Sequence, residues 1–508
     1  MAVVAIFSNN NKKGVHSLFV HDLILKGEKA STAFAGKDNV SYGELQEQVG
    51  KYRNYFYMSG VRAGEKVGLL SRNCVEYVYC YMAVISLGAV IVPLNFQLAA
   101  REIAFIVKDA KMKRLITMEQ LALDAELSQQ GYAQILDQLV ISDFKQKLTQ
   151  DNLPAAPSLD SSIDENTPCV IIYTSGTTGT PKGAVLTHKN LVANAQAFRE
   201  RLPVDENDNV LCVLPMYHCF AWTCAVLNPL LCGAAITVLE SFAPKETIVA
   251  IKDFGVTVVY GVPPMYSLLT RVGETDDLAG VRILVSGGAS LPEKIAQQFA
   301  DKYGKRIIEG YGLSEASPVV TLNPAQKPKY CSIGKALPGL DVKVVDSNGQ
   351  TLPPGVVGEI IVRGPSVMQG YLNLPTESAN ALKDGWLHTG DLAYQDAEGY
   401  FFVVDRLKDL IISNGENIYP REIEELLYAY PGIIEASVIG MADELRGQVA
   451  RAYIVLAEGK QFDKKAVREY LQTNIAAYKI PRDFVVVDGL PKNQTGKILK
   501  RVLREQAG

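Results

Sequence analysis

Residues 173 to 183 read Tyr-Thr-Ser-Gly-Thr-Thr-Gly-Thr-Pro-Lys-Gly, with a short apolar run on either side. Residues 169–172 before the stretch and 184–186 after it are too short for helices and read as buried strands. Between them lie one tyrosine, three glycines, five Ser or Thr hydroxyls, one proline and one lysine. Glycine tolerates positive φ, so such a loop can turn its backbone N–H groups inward and form a concave nest for anionic oxygen. The hydroxyls add adjustable donors, and Lys182 adds a point charge. A polar hairpin turn is the plainer alternative, since Ser, Thr and Gly fill turns everywhere. The P-loop of the NTPases is excluded, because Lys182 is followed by Gly183 and not by Ser or Thr. The stretch reads as a nucleotide-phosphate loop held between two strands.

A chain of 508 residues exceeds what one core supports and implies several domains. Ser41, with Glu44 three residues on, has the form of a capping box at the start of an early helix. Residues 66–70 read as a strand, and Asn73 with Glu76 opens an apolar helix that Gly88 closes. Strand 90–94, helix 101–110 and strand 114–118 continue the rhythm, which predicts an α/β layer with a largely parallel sheet. Residues 151–168, rich in Pro, Ser and Asp, read as a linker between α/β halves 1–165 and 166–330. Strands are predicted at 210–214, 235–239, 256–260 and 282–286. From 331 to 404 the texture becomes short alternating strands with turns, as in a small β-barrel. Residues 405–508 form a smaller α+β unit after this 1–404 region.

A net charge of −4 gives no support for nucleic-acid binding. The eight cysteines contain no Cys-x-x-Cys pair and sit largely in apolar runs, as buried thiols of a cytoplasmic protein do. No signal peptide and no uncharged run of membrane-spanning length are read, so stable membrane insertion is not expected.

Further motifs stand far apart. Glu309-Gly310-Tyr311-Gly312-Leu313-Ser314-Glu315 follows strand 306–308 and lacks the third glycine of a dinucleotide fingerprint. Trp386-Leu387-His388-Thr389-Gly390-Asp391, then Asp405-Arg406-Leu407-Lys408-Asp409, and Pro491-Lys492-Asn493-Gln494-Thr495-Gly496-Lys497 complete the set. Together with the phosphate loop, these motifs resemble, in order, those of the adenylate-forming superfamily: acyl-CoA synthetases, adenylation domains and beetle luciferases. The resemblance spans Ser41 to Lys497.

It implies that ATP or AMP is held by Thr174, Ser175, Gly176, Thr177, Thr178, Gly179 and Lys182, and by Glu309, Gly310, Tyr311, Gly312 and Ser314. Tyr311 would lie along the purine. Asp391 would accept from both ribose hydroxyls, and Arg406 would contact ribose and phosphate. Glu315, with Thr178, would hold Mg²⁺. Lys497 would bridge the substrate carboxylate and the α-phosphate. The C-terminal domain would be a mobile lid swinging about Lys408 between two half-reactions. His218, Phe220, Tyr260, Gly287, Gly288 and Ala289 would line the acyl pocket. His218, Glu315 and Lys497 are the catalytic candidates. Asn414 and Gly415 would approach CoA, although Ile412 and Asn414 stand where some relatives carry lysines.

The expected reaction is ATP-dependent, AMP-forming ligation of a carboxylic acid to CoA. No carboxylate stands beside Tyr217 to hold an α-ammonium, which argues against amino-acid substrates. The apolar, small-sided pocket segments point to a medium- or long-chain fatty acid. An aryl acid of the coumarate or benzoate type is the alternative, and a catalytically inactive nucleotide-binding relative a more distant one. Monomer and homodimer are both compatible with the sequence.

Overall fold

The computed structural model describes residues 18–37, 39–148, 153–174, 181–492 and 497–507. Its two large sheets are α/β layers with parallel interiors. In the first, seven strands run in the order Gly370–Tyr371, Lys182–Thr187, Pro168–Thr174, Val90–Leu94, Lys66–Leu70, Arg114–Thr117, Asp137–Val140. The last five are mutually parallel, whereas the two strands flanking the phosphate loop pair antiparallel. In the second sheet, the parallel interior runs Ile308–Gly312, Ile283–Ser286, Val258–Gly261, Asn209–Cys212, Ala235–Val238.

The boundary expected at 165/166 does not separate these sheets. Pro168–Thr174, beyond the linker, joins the first sheet through Ile91 opposite Val170, while Thr32–Phe34 joins the second through Phe34 opposite Ile236. Apolar strands complete whichever sheet edge is open, and a polar linker crossing the surface imposes no division. One core cluster accordingly runs from Val20 to Leu387.

The early helix Tyr42–Met58 has the predicted capping box: Ser41 N donates to Glu44 Oε2 at 2.8 Å, and Glu44 N to Ser41 Oγ at 3.2 Å. Asn73 departs from its predicted role. The helix Val75–Ser86 has Cys74 at its N-cap. Asn73 is buried, donates to Leu214 O at 2.9 Å and Leu239 O at 3.1 Å, and accepts from Met216 N at 2.8 Å. It ties the first layer to the loop that carries His218.

The segment expected as a β-barrel is an antiparallel five-stranded sheet centred on Trp386–Gln395, which pairs with Gly358–Arg363 on one side and Phe401–Arg406 on the other. No ladder closes its outer strands on each other among the described residues. The C-terminal unit packs helices Pro420–Ala429 and Lys464–Asn474 on a long hairpin, Ile433–Asp443 with Gly447–Leu456, around its own core. No helix among the described residues is long and apolar enough to cross a membrane.

Candidate active site

Tyr311, near the end of strand Ile308–Gly312 in the second sheet, donates its hydroxyl to Asp391 Oδ2 at 2.6 Å, and Arg406 Nε lies 3.2 Å from Asp391 Oδ1. Asp391 and Arg406 are direct cross-strand partners, so ladder register fixes their pairing. Gly312 is required beside them, because a Cβ there would stand 2.1 Å from Pro318 O.

Lys497 reaches this centre from the C-terminal unit. Its ammonium is pushed down from 10.5 to about 8, first by burial and then by the Arg406 guanidinium, with Asp391 opposing. The charge acts on His218 in turn: burial first, then Lys497, pushes that imidazole down to about 4. His218 is therefore neutral near pH 7. Its Nδ1 accepts from Phe220 N at 3.2 Å, which assigns the ring proton to Nε2.

At the phosphate end, Thr174 and Lys182 are ladder partners at the mouth of the loop. Ser175, Gly176, Thr177, Thr178 and Gly179 lie outside the described residues. Glu315 Oε1 accepts from the Tyr371 hydroxyl at 2.8 Å, and Lys182 Nζ stands 5.4 Å from the centroid of the same ring. Ser314 Oγ is 3.2 Å from Cys219 Sγ, which joins this turn to the His218 loop. No group of three or more His, Cys, Asp or Glu side chains among the described residues could hold a metal. A divalent cation at Glu315 would then draw its other ligands from phosphate and water, as Mg²⁺ commonly does.

On the acyl side, a Cβ on Gly287 would stand 3.0 Å from the Phe220 ring, and Phe220 meets Tyr260 edge-on at 6.3 Å. Gly288 has φ +75° and faces Val262; Ala289 follows, half-buried. His218, Phe220, Tyr260 and Gly287 thus form one connected group.

Other candidates stand apart. The Glu309 side chain is buried, accepts from Leu291 N at 3.0 Å, and is pushed up to about 7 by burial against the pull of Arg421. It ties strand Ile308–Gly312 to Leu291, and among the described residues no hydrogen bond joins it to Asp391. Asn414 and Gly415, with φ of 53° and 82°, form the exposed tip of a hairpin whose Asn414 N donates to Arg446 O at 2.9 Å. That tip makes no hydrogen bond to the Asp391 group. Lys408 is exposed in the turn between Phe401–Arg406 and Ile411–Ser413. Sequence reasoning missed Tyr371 and Asn73. Tyr371 had no signal beyond a Gly-Tyr pair, and Asn73 was visible as a polar residue before a helix, where capping is the commoner role.

Residues 25–372 match the sequence profile of AMP-binding enzymes. The chain belongs to the AMP-binding enzyme family. The profile of the AMP-binding enzyme C-terminal domain matches residues 422–497, ending on Lys497. Within this family, feruloyl-CoA synthase from an Amycolatopsis species is 37% identical over 478 residues, covering 93% of this chain and 95% of that protein. The long-chain-fatty-acid–CoA ligase of Bacillus subtilis (strain 168) is 33% identical over 520 residues, covering 94% and 92% respectively. ATP-bound MatB from Rhodopseudomonas palustris has the same fold, with a TM-score of 0.90 at 28% identity over 97% of this chain and 99% of that one.

Proposed function

We propose that this AMP-forming acid–CoA ligase acts on a flat aryl or aryl-alkenoic acid. The chain is an acyl-CoA synthetase by family, and its co-substrates are ATP, as the magnesium complex, and CoA. The observation that carries the finer reading is the seating of Phe220 against Gly287, edge-on to Tyr260, which places two aromatic rings next to His218. Such rings offer a planar acid stacked and edge-on contacts that an acyl chain does not use. The Tyr260 and Ser286 hydroxyls nearby are buried without a partner among the described residues, a capacity that an oxygen-bearing aryl acid would meet. The 37% identity to a feruloyl-CoA synthase supports the same reading.

In this mechanism a carboxylate oxygen of the acid attacks the α-phosphorus of ATP. The bond to the β-phosphate bridging oxygen breaks, and pyrophosphate departs. Tyr311 would face the purine, Asp391 and Arg406 the ribose, and Lys182 the phosphates. Glu315 would hold the magnesium ion, which neutralises charge developing on the departing pyrophosphate. His218, neutral with its proton on Nε2, can donate to the acid's carboxylate but cannot pair with it as a cation. Lys497 supplies the positive charge between carboxylate and α-phosphate. In the second step the CoA sulfur attacks the acyl carbon, and AMP leaves with the electron pair. Rotation about Lys408 would withdraw Lys497 and bring the Asn414–Gly415 face toward CoA.

A fatty acid is the second reading, carried by the apolar pocket walls and by the 33% identity to a long-chain-fatty-acid–CoA ligase. Pyrophosphate release with ferulate, coumarate, octanoate and palmitate ranks the two. Ferulate or coumarate should exceed palmitate by about tenfold or more in kcat/KM, on the order of 1.4 kcal/mol. Preference for palmitate overturns the aryl reading and leaves acid–CoA ligation standing.

A further inference from the structure

We propose that Tyr371 is a positioning residue that holds the anionic and cationic members of the phosphate site apart before nucleotide arrives. The inference rests on the roles given above to Glu315 and Lys182. Tyr371 touches both: its hydroxyl donates to Glu315 Oε1 at 2.8 Å, and Lys182 Nζ sits 5.4 Å from its ring centroid. A carboxylate and an ammonium this close to one tyrosine would ordinarily collapse into an ion pair. No ion pair joins Glu315 and Lys182 among the described residues; the tyrosine satisfies each of them separately, through its hydroxyl and through its ring. A neutral phenol partners each charge without cancelling it, as an opposite charge would, so both stay available to a metal and a phosphate.

The backbone holds Tyr371 in place from both sides. Tyr371 pairs with Ala184 on the strand leaving the phosphate loop, and Leu372 N donates to Gly183 O at 2.8 Å. Met368 N donates to Glu315 O at 2.8 Å, and Tyr371 N to Ser378 Oγ at 2.8 Å. The short strand Gly370–Tyr371 is thus stitched to both halves of the site, and its one large side chain lies between their charges. Preorganisation of this kind avoids breaking an ion pair at the moment of binding.

The test measures binding as well as turnover. Mn²⁺ binding is followed by the paramagnetic resonance signal of the free ion, in the presence of a non-hydrolysable ATP analogue. Calorimetry gives analogue binding without metal. Tyr371→Phe removes the hydroxyl and so releases Glu315, while the remaining ring goes on holding Lys182; it should weaken Mn²⁺ binding about tenfold while metal-free analogue binding changes less than twofold. Tyr371→Leu should weaken both, because Lys182 loses its ring as well. Ser378→Ala, which removes one backbone tie of Tyr371 but leaves the phenol, should weaken Mn²⁺ binding clearly less than Tyr371→Phe does, and an equal or larger loss would overturn the role given to the hydroxyl. Equal weakening of both measurements in Tyr371→Phe marks a merely structural role and overturns the proposal. Unaltered Mn²⁺ binding in Tyr371→Phe also overturns it, provided Glu315→Gln weakens that binding. If Glu315→Gln leaves Mn²⁺ binding unaltered too, the metal role of Glu315 falls first.

Discussion

Lys497 carries a charge that its surroundings in the protein do not favour, and pH should reveal it. Partial burial first, and then the neighbouring Arg406, push its ammonium down from 10.5 to about 8. At about 1.4 kcal/mol per pH unit, that displacement weighs about 3 kcal/mol against the charged form, and solvent contact of a half-buried side chain reduces it to about 1–3 kcal/mol. The sign follows from proton counts. Between about 8 and 10.5 the unfolded chain holds more protons at this lysine than the folded one does, so the lysine's contribution to stability rises with pH across that window. Below about 8 both states are protonated and the penalty is full. ATP phosphates would relieve it, so nucleotide binding and protonation of Lys497 support each other.

Two measurements follow from one cause. In ATP–pyrophosphate exchange from pH 6 to 10, kcat/KM should decline above about 8, where the free enzyme loses the Lys497 charge. The limb in kcat should lie higher, because bound phosphates hold the proton. Thioester formation from supplied acyl-adenylate should show no such limb, and Lys497→Ala should abolish adenylation while largely sparing that step. Lys497→Met, which removes the charge and keeps the stem, should raise unfolding free energy in urea at pH 7 by about 1–3 kcal/mol. An alkaline limb shared by both half-reactions, or a Lys497→Met protein no more stable than its parent, would refute the reasoning.

Asp391→Asn keeps the shape but removes the charge that holds Arg406 and accepts from Tyr311; ATP affinity by calorimetry should fall about 10- to 100-fold, on the order of 1.4–2.8 kcal/mol. Gly287→Ala puts a methyl 3.0 Å from the Phe220 ring, so the KM for the acid should rise about fivefold while the KM for ATP stays within about twofold. Asn73→Ala strands Met216 N, Leu214 O and Leu239 O in the interior; the urea midpoint should report a loss of about 2–3 kcal/mol, with adenylation slowed through the displaced His218 loop.

What was legible in the sequence follows from how local each cause is. The strands at 66–70 and 90–94 and the Ser41–Glu44 cap lie where they were predicted, because periodicity and capping act over three or four residues. Sheet membership is not local. The linker at 151–168 looked like a division between layers, yet Pro168–Thr174 crosses back to the first sheet, since Val170 finds Ile91 there. Asp391, Arg406, Glu315 and Lys497 were legible as candidates because each stands in a motif whose residue order resembles that of the adenylate-forming superfamily. Their supports were not readable for the opposite reason. Asn73 looks like a cap and Tyr371 like an ordinary half-buried aromatic; each takes on its task only when a strand from another part of the chain is laid beside it. The same difference explains why the motifs carried a resemblance that implied the reaction class while the shape of the acid stayed open. A phosphate loop is contiguous, whereas the contact of Phe220 with Gly287, on which the proposed choice of acid rests, joins two elements far apart in the chain.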